Sequence, residues 1–574
     1  MNETRINDAI LAARSPVGEP YSPPFAHLGA LLAHNSAASA EREALVFFDD
    51  DKGIVRRYTW AALYDLVAQC AGLLDKYQVG HGDRIATLMG NLDYTVALYL
   101  AAWSLGASVA PINASEDFDR KVFITENAGA KVLFARACYL EEAQRLVQGR
   151  AIKLVAVPDQ DSERDLCQGV DILHDLLSPN RRVEPGSRDF EAKGTESLLI
   201  YTSGTTGAPK GVRVDQFNQL CDAHGMSTWH GWGTGVRAMC VLPIHHVNGI
   251  VVTLGIPLLQ AGTMVLNSRF NSKTFWGRAA SEGVNFASVV PTLLEFLVSA
   301  DARGQSQPAF QDVDTSALQT IVCGAGPLLV ETALAFESTF GVPLTHGYGL
   351  SETTCYNCHM PPDLSREARL KWYQSHGFPS IGVPLPHQDM AILDADGAPC
   401  AEGERGEICV RGECISLGYD RRPDANESSF RGGWFRSGDE GFFLTDNQGR
   451  RFFFITGRLK ELIIRGGVNY SPLEIDEAIN AHPKVAAGLA LPFANRFYGE
   501  EIAAYVVPVE GETIDEQELI EFCRKRLDFA KSPKVIVIGD ELPYTTTGKP
   551  RRLELVRRLA QTLEPYKDAQ FQKA

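Results

Sequence analysis

The chain has 574 residues, 45% hydrophobic and 22% charged, which is too apolar for a disordered polypeptide and long enough for several folding units. A formal net charge of −16 argues against broad nucleic-acid or anionic-membrane binding, since both need a positive field. No apolar run reaches the roughly 18 uncharged residues that span a bilayer, and Met1-Asn-Glu-Thr-Arg lacks the basic-then-apolar order of a secretory signal, so the expected location is the cytoplasm.

In chain order, residues 1–25, with Pro16, Pro20, Pro23 and Pro24, read as an irregular N-terminal segment. Short apolar runs then alternate with helical patterns. Ile85-Ala-Thr-Leu-Met precedes Tyr94–Trp103 and then Ala107-Ser-Val-Ala-Pro, and Ala238-Met-Cys-Val-Leu precedes a helix-like stretch from Gly249 to Leu259 and then Thr263-Met-Val-Leu. Leu318–Cys323 leads through a Gly-Pro turn into Val330–Phe340. Such alternation predicts βαβ units and largely parallel sheet. From about residue 390 the texture changes to short β-like runs with Gly-rich turns, and after Gly457 a fresh α+β pattern begins. The fold expected is α/β: a large N-terminal domain (1–456) of βαβ-rich sheets plus a β-subdomain, and a small mobile α+β C-terminal domain (457–574). Most of the negative charge lies before residue 457, and the tail carries the basic groups Arg524-Lys525-Arg526 and Lys549 with Arg551-Arg552. The first of these reads as a solvated helix face. Cys355-Tyr-Asn-Cys358-His359 matches the form of a haem attachment site, but with no export signal and no second ligand pair it reads as coincidence.

The strongest local signal is Tyr201-Thr-Ser-Gly-Thr-Thr-Gly-Ala-Pro-Lys-Gly-Val212 at the end of the apolar strand Leu198-Leu-Ile. Hydroxyls, glycines and one lysine there make an anion cradle, in which backbone N–H groups approach phosphates. It is not a Walker A loop.

This element resembles the phosphate loop of the adenylate-forming superfamily, and Gly466-Gly467-Val-Asn-Tyr-Ser-Pro-Leu-Glu474 resembles, within it, the AMP-forming acyl-CoA synthetases most. Four further elements follow in the family's order: Gly347-Tyr-Gly-Leu-Ser-Glu352, Gly433-Trp-Phe-Arg-Ser-Gly-Asp439, Gly457-Arg458-Leu-Lys460, and Leu542-Pro-Tyr-Thr-Thr-Thr-Gly-Lys549-Pro-Arg-Arg552. The resemblance implies activation of a carboxylic acid by ATP and Mg²⁺ to an acyl-adenylate, then thioester formation with CoA. It assigns phosphate and nucleotide contacts to Thr202, Ser203, Gly204, Thr205, Thr206, Gly207 and Lys210. Gly324, Ala325, Gly326, Pro327, His346, Gly347, Tyr348, Gly349 and Ser351 would line the nucleotide, Asp439 and Arg458 would hold the ribose, and Glu352 would hold Mg²⁺. Lys549 would be the mobile adenylation lysine, Lys460 the hinge, and Gly466 with Gly467 a channel for the pantetheine arm, although a tight hairpin turn explains those glycines too. Leu242-Pro-Ile-His245-His246-Val-Asn-Gly249 resembles the substrate-side element and places His246 beside the carboxylate and the thiol entry. It holds no Asp where amino-acid-activating domains bind an ammonium group. The segment Thr353–Ser380 is either a cap on the acyl pocket or a surface insertion. The rival acceptor is an acyl carrier protein, and the rival from another class is an adenylate-binding protein that has lost adenylation.

Overall fold

The computed structural model describes residues 3–202, 209–544 and 550–571. Two sheets with parallel centres form the larger, N-terminal part. Parallel strands covered on both faces read as continuous apolar runs, and Thr263–Asn267, Phe286–Val289 and Thr320–Cys323 are buried at every position. These strands lie in a nine-stranded sheet in the spatial order 383–384, 358–359, 344–348, 320–323, 286–289, 237–240, 263–267, 43–49, 54–59. A seven-stranded sheet runs 171–172, 153–157, 132–136, 84–88, 108–111, 196–202, 210–215. Its last two strands are antiparallel, with Thr202 opposite Lys210, so the phosphate-loop candidate connects two paired strand ends. A five-stranded antiparallel sheet follows, in which Trp434–Thr445 pairs with Gly406–Gly412 and Arg451–Arg458. The smaller, C-terminal part is a separate sheet of 463–465, 468–470, 485–495, 499–508 and 535–538, packed by the helices Pro472–Asn480 and Glu516–Arg524. The mixed α/β class expected from the sequence is the class observed.

Two local expectations need correction. Residues 3–13 are a helix, not irregular: Ile6, Ile10 and Ala13 fall on one face and pack into the core of the antiparallel sheet. Arg14 then ties that helix to the body through a 2.6 Å ion pair to Asp215, which also caps the helix Gln216–His230. Thr353–Ser380 is not a loose surface insertion. Cys355–Met360 is buried, and Cys358–His359 adds a strand to the nine-stranded sheet. The helix Arg366–Gln374 is held down by a bidentate Arg369–Glu337 pair at 2.7 and 2.9 Å and by Trp372 stacked on Phe452 at 3.9 Å. The stretch expected to be helical from Gly249 is a π-helical turn, Asn248–Gly255, followed by the α-helix Ile256–Leu259. No helix among the described residues is long and apolar enough to cross a membrane.

Candidate active site

The carboxyl ends of adjacent parallel strands are where open α/β sheets bind ligands. The strands Phe286–Val289, Thr320–Cys323 and Leu344–Tyr348 end side by side. Tyr348 stands at the end of the last of these, and its Oη donates to Asp439 Oδ2 at 2.6 Å. Asp439 lies directly opposite Arg458 in the antiparallel sheet, and this cross-strand placement brings Arg458 Nε to 2.8 Å from Asp439 Oδ1. Burial, reinforced by the Asp439 charge, raises the Tyr348 phenol well above its usual range, so it stays a neutral donor. Asp439, Tyr348 and Arg458 therefore form one unit.

Glu352 sits at the tip of a tight loop. A Cβ on Gly349 would overlap the Cys355 carbonyl oxygen, so the chain on either side of Glu352 is pressed together. Its Oε1 accepts from Tyr419 Oη at 2.8 Å, and its backbone carbonyl accepts from Ser416 N at 2.9 Å. Lys210 Nζ lies 4.7 Å from the centre of the Tyr419 ring. Burial holds the Lys210 ammonium below the usual lysine range; the Glu352 charge opposes this, while Arg422 and Lys460 add to it. The hinge candidate Lys460 follows Leu459, whose N–H donates to Gly438 O at 2.9 Å. Tyr419 was not singled out from the sequence, and no motif marks it. It lies past the end of the strand Gly406–Gly412, and an isolated bridge to Val212 ties it to the strand that begins at Lys210.

Among the other candidates, Gly324 is needed for close approach, since a Cβ there would lie 2.6 Å from Tyr356 Oη and 2.9 Å from Gly347 O. Ala325 takes a left-handed φ of 64°, which bends the chain sharply before Gly326 and Pro327, the latter leading into the helix Val330–Phe340. His346 is buried, with Nδ1 2.8 Å from Ser380 O, and burial lowers its imidazole to about 4. Ser351 begins the short helical turn that carries Glu352. His246 follows Pro243 in a turn and stacks obliquely on His245 at 4.4 Å. Gly466 and Gly467 form a two-residue hairpin turn, with φ of 61° and 79° between the paired residues Arg465 and Val468, the backbone that such turns require. Among the described residues, its chain neighbours aside, no atom lies within 4 Å of where a Gly467 Cβ would point. Ser203, Gly204, Thr205, Thr206, Gly207 and Lys549 lie outside the described residues. Tyr544 and Pro550, on either side of 545–549, are bridged to each other.

A divalent cation fits the donor set. Among the described residues Glu352 Oε2 accepts no hydrogen bond, and one carboxylate oxygen beside phosphate oxygens is what Mg²⁺ takes from a protein. The site combines that carboxylate, a half-buried lysine and a tyrosine–aspartate–arginine unit. It can hold a nucleotide and steady charge at its phosphates.

Two family models match the chain: "AMP-binding enzyme" over residues 32–420 and "AMP-binding enzyme C-terminal domain" over residues 474–549. The chain is 33% identical over 540 residues to a sulfoacetate–CoA ligase of Cupriavidus necator, covering 93% of this chain and 98% of the relative. It is 30% identical over 498 residues to an oxalate–CoA ligase of Arabidopsis thaliana, covering 86% and 92%. The O-succinylbenzoate coenzyme A synthetase of Bacillus subtilis, solved with ATP and magnesium ion, superposes with a TM-score of 0.76 at 26% identity, covering 92% and 98%.

Proposed function

We propose a mechanism that proceeds from one premise: this chain belongs to the AMP-binding enzyme family. It is an AMP-forming acid–thiol ligase that uses ATP, Mg²⁺ and CoA. It joins a carboxylic acid to AMP with release of pyrophosphate, then transfers the acyl group to the CoA thiol with release of AMP. What remains is which residues do this and on which acid.

The observation that carries the mechanism is the convergence of Asp439, Tyr348 and Arg458 with Glu352, Tyr419 and Lys210 from segments far apart in sequence. In our reading Asp439 takes both ribose hydroxyls, with Arg458 fixing its carboxylate, and Tyr348 gives its ring to adenine. Lys210, with Thr202 and the residues 203–207, holds the phosphates. Glu352 offers its free oxygen to Mg²⁺, which when bound neutralises phosphate charge, and Tyr419 fixes the direction of that carboxylate. Lys549 bridges the acid carboxylate and the α-phosphate during adenylation. An ammonium on a flexible stem suits this, because it can leave again. Residues 1–456 and 457–574 then act as two bodies joined at Lys460, the second turning to bring the Gly466-Gly467 turn to the thiol entry near His246.

Free CoA is favoured over a carrier protein because the curated relatives above are CoA ligases by name. The acids in those names, sulfoacetate and oxalate, are the first to test. We place the enzyme in the cytoplasm, where its cysteines, all unpaired, stay reduced. The test separates the half-reactions. Lys549→Ala is expected to abolish acid-dependent pyrophosphate release yet still form the thioester from supplied acyl-adenylate and CoA. Loss of both halves, or of neither, overturns the two-body assignment.

A further inference from the structure

On the ligase reading, from which this inference follows, the acid's carboxylate lies beside Glu352 and Lys210, and the rest of the acid points at the ends of the parallel strands. Tyr356 stands there. It is buried, and its ring edge lies on Gly324, where even a Cβ would come within 2.6 Å of Cε1 and Oη. The ring is fixed from several sides. Asn248 Nδ2 donates to Tyr356 Oη at 3.0 Å, and Ser288 Oγ donates to Asn248 Oδ1 at 2.6 Å. Tyr356 O accepts from Gln388 Nε2 at 2.7 Å, and a Cβ on Gly349 would lie 2.7 Å from Tyr356 Cα. Behind it His359 packs edge-on at 4.4 Å, His230 Nε2 lies 2.9 Å from His359 Nδ1, and His230, Trp232 and Phe286 continue as a stack at 4.2 and 3.9 Å. A wall backed by packed rings and held by hydrogen bonds does not yield to a longer substrate.

The wall is also polar. The Tyr356 hydroxyl and the Asn248 amide are part of it, and three residues before Asn248 stands His245, whose Nε2 is buried with no hydrogen-bond partner among the described residues. Burial keeps the His245 imidazole neutral, with His246 adding to this, so the ring keeps one N–H. An apolar acyl end would leave such groups unpaired, and an acceptor would take the tyrosine O–H.

We propose that the acid is short, with a hydrogen-bond-accepting group at its far end, and that Tyr356 is the residue that excludes aromatic and longer aliphatic acids. The experiment measures pyrophosphate release with ATP, Mg²⁺ and CoA against oxalate, sulfoacetate, glycolate, malonate, propionate, hexanoate and benzoate. The wild type, Tyr356→Phe and Tyr356→Ala are compared. For the wild type, kcat/KM is expected to be about tenfold or more higher on at least one short polar acid than on propionate, hexanoate or benzoate. Tyr356→Ala is expected to shift the ratio of hexanoate or benzoate to that acid upward by a similar factor, and Tyr356→Phe to keep the size limit. Turnover of benzoate or hexanoate by the wild type at the rate of the short acids overturns the proposal and leaves the ligase reading intact. Equal use of propionate overturns the polar end. If Tyr356→Ala does not fold, the wild-type panel and Tyr356→Phe decide. ATP binding by calorimetry with no acid turned over overturns the ligase reading itself, and this proposal with it.

Discussion

Replacing Asp439 by asparagine removes a charge and almost no volume. Asp439 is 1% exposed; its Oδ2 accepts from Tyr348 Oη at 2.6 Å, and its Oδ1, ion-paired with Arg458 Nε at 2.8 Å, accepts no hydrogen bond among the described residues. Asparagine keeps a single acceptor. Arg458 can only donate, so the amide oxygen turns to it, and the new N–H pair faces Tyr348, whose hydroxyl can accept. The fold is therefore expected to survive, but toward a ribose one ionic acceptor is gone. A hydrogen bond to a charged group contributes about 1.5–3 kcal/mol, so the dissociation constant for ATP should rise by about ten- to hundredfold. Calorimetric titration with ATP in the absence of acid measures this, and denaturant unfolding of the same preparations verifies the fold. A folded Asp439→Asn variant that binds ATP within about twofold of wild type would refute the ribose assignment.

Two further predictions concern stability and pH. Arg369→Leu leaves Glu337, 1% exposed, with the Leu344 N–H at 3.2 Å and the more distant Arg366 at 3.7 Å. It should destabilise the N-terminal part by about 3–5 kcal/mol, and Glu337→Leu added to it should recover much of the loss; equal denaturation midpoints for wild type and the single variant would contradict this. Glu477, on the C-terminal part, accepts from Val330 N at 2.7 Å. Burial raises its carboxyl from 4.5 to about 7, with Glu331 and Asp476 adding to the rise and the Val330 bond opposing it. A carboxyl raised in the docked state favours docking while protonated, so its contribution is full below about pH 4.5 and is lost as pH rises through 7. Protease cleavage around residues 457–462 should therefore increase from pH 5 to pH 8, and Glu477→Gln should flatten that rise; an unchanged profile in the variant would count against it.

Much of the fold can be read from the sequence because buried parallel strands are unbroken apolar runs. Thr263-Met-Val-Leu and Ile321-Val-Cys stand out for that reason. Their neighbours do not. Glu43–Asp49 joins the nine-stranded sheet beside Thr263–Asn267, a pairing across more than two hundred residues with no local mark. The helix Glu3–Ala13 hides behind the prolines that follow it, although Ile6 and Ile10 keep helical spacing. In the site, the glycines and carboxylates announce themselves through motif spacing. Tyr419 and Tyr356 do not, since a tyrosine's role depends on what its hydroxyl meets, and Glu352 and Asn248 meet them from 67 and 108 residues away.

The contact between Gly349 and the Cys355 carbonyl has a consequence for how the enzyme discriminates among acids. Glu352 and Tyr356 stand four residues apart on the same pinched loop. On the proposed roles, an acid too long for the unyielding tyrosine cannot bring its own carboxylate to Glu352, because the pinched loop fixes the distance between the two. Fit at the acyl end is thereby set against the phosphate side by the backbone, and a poor substrate is penalised in turnover as well as in occupancy. Selection for a new acid would have to act on the whole loop, because the side proposed to choose the acid and the side proposed to activate it share one rigid turn.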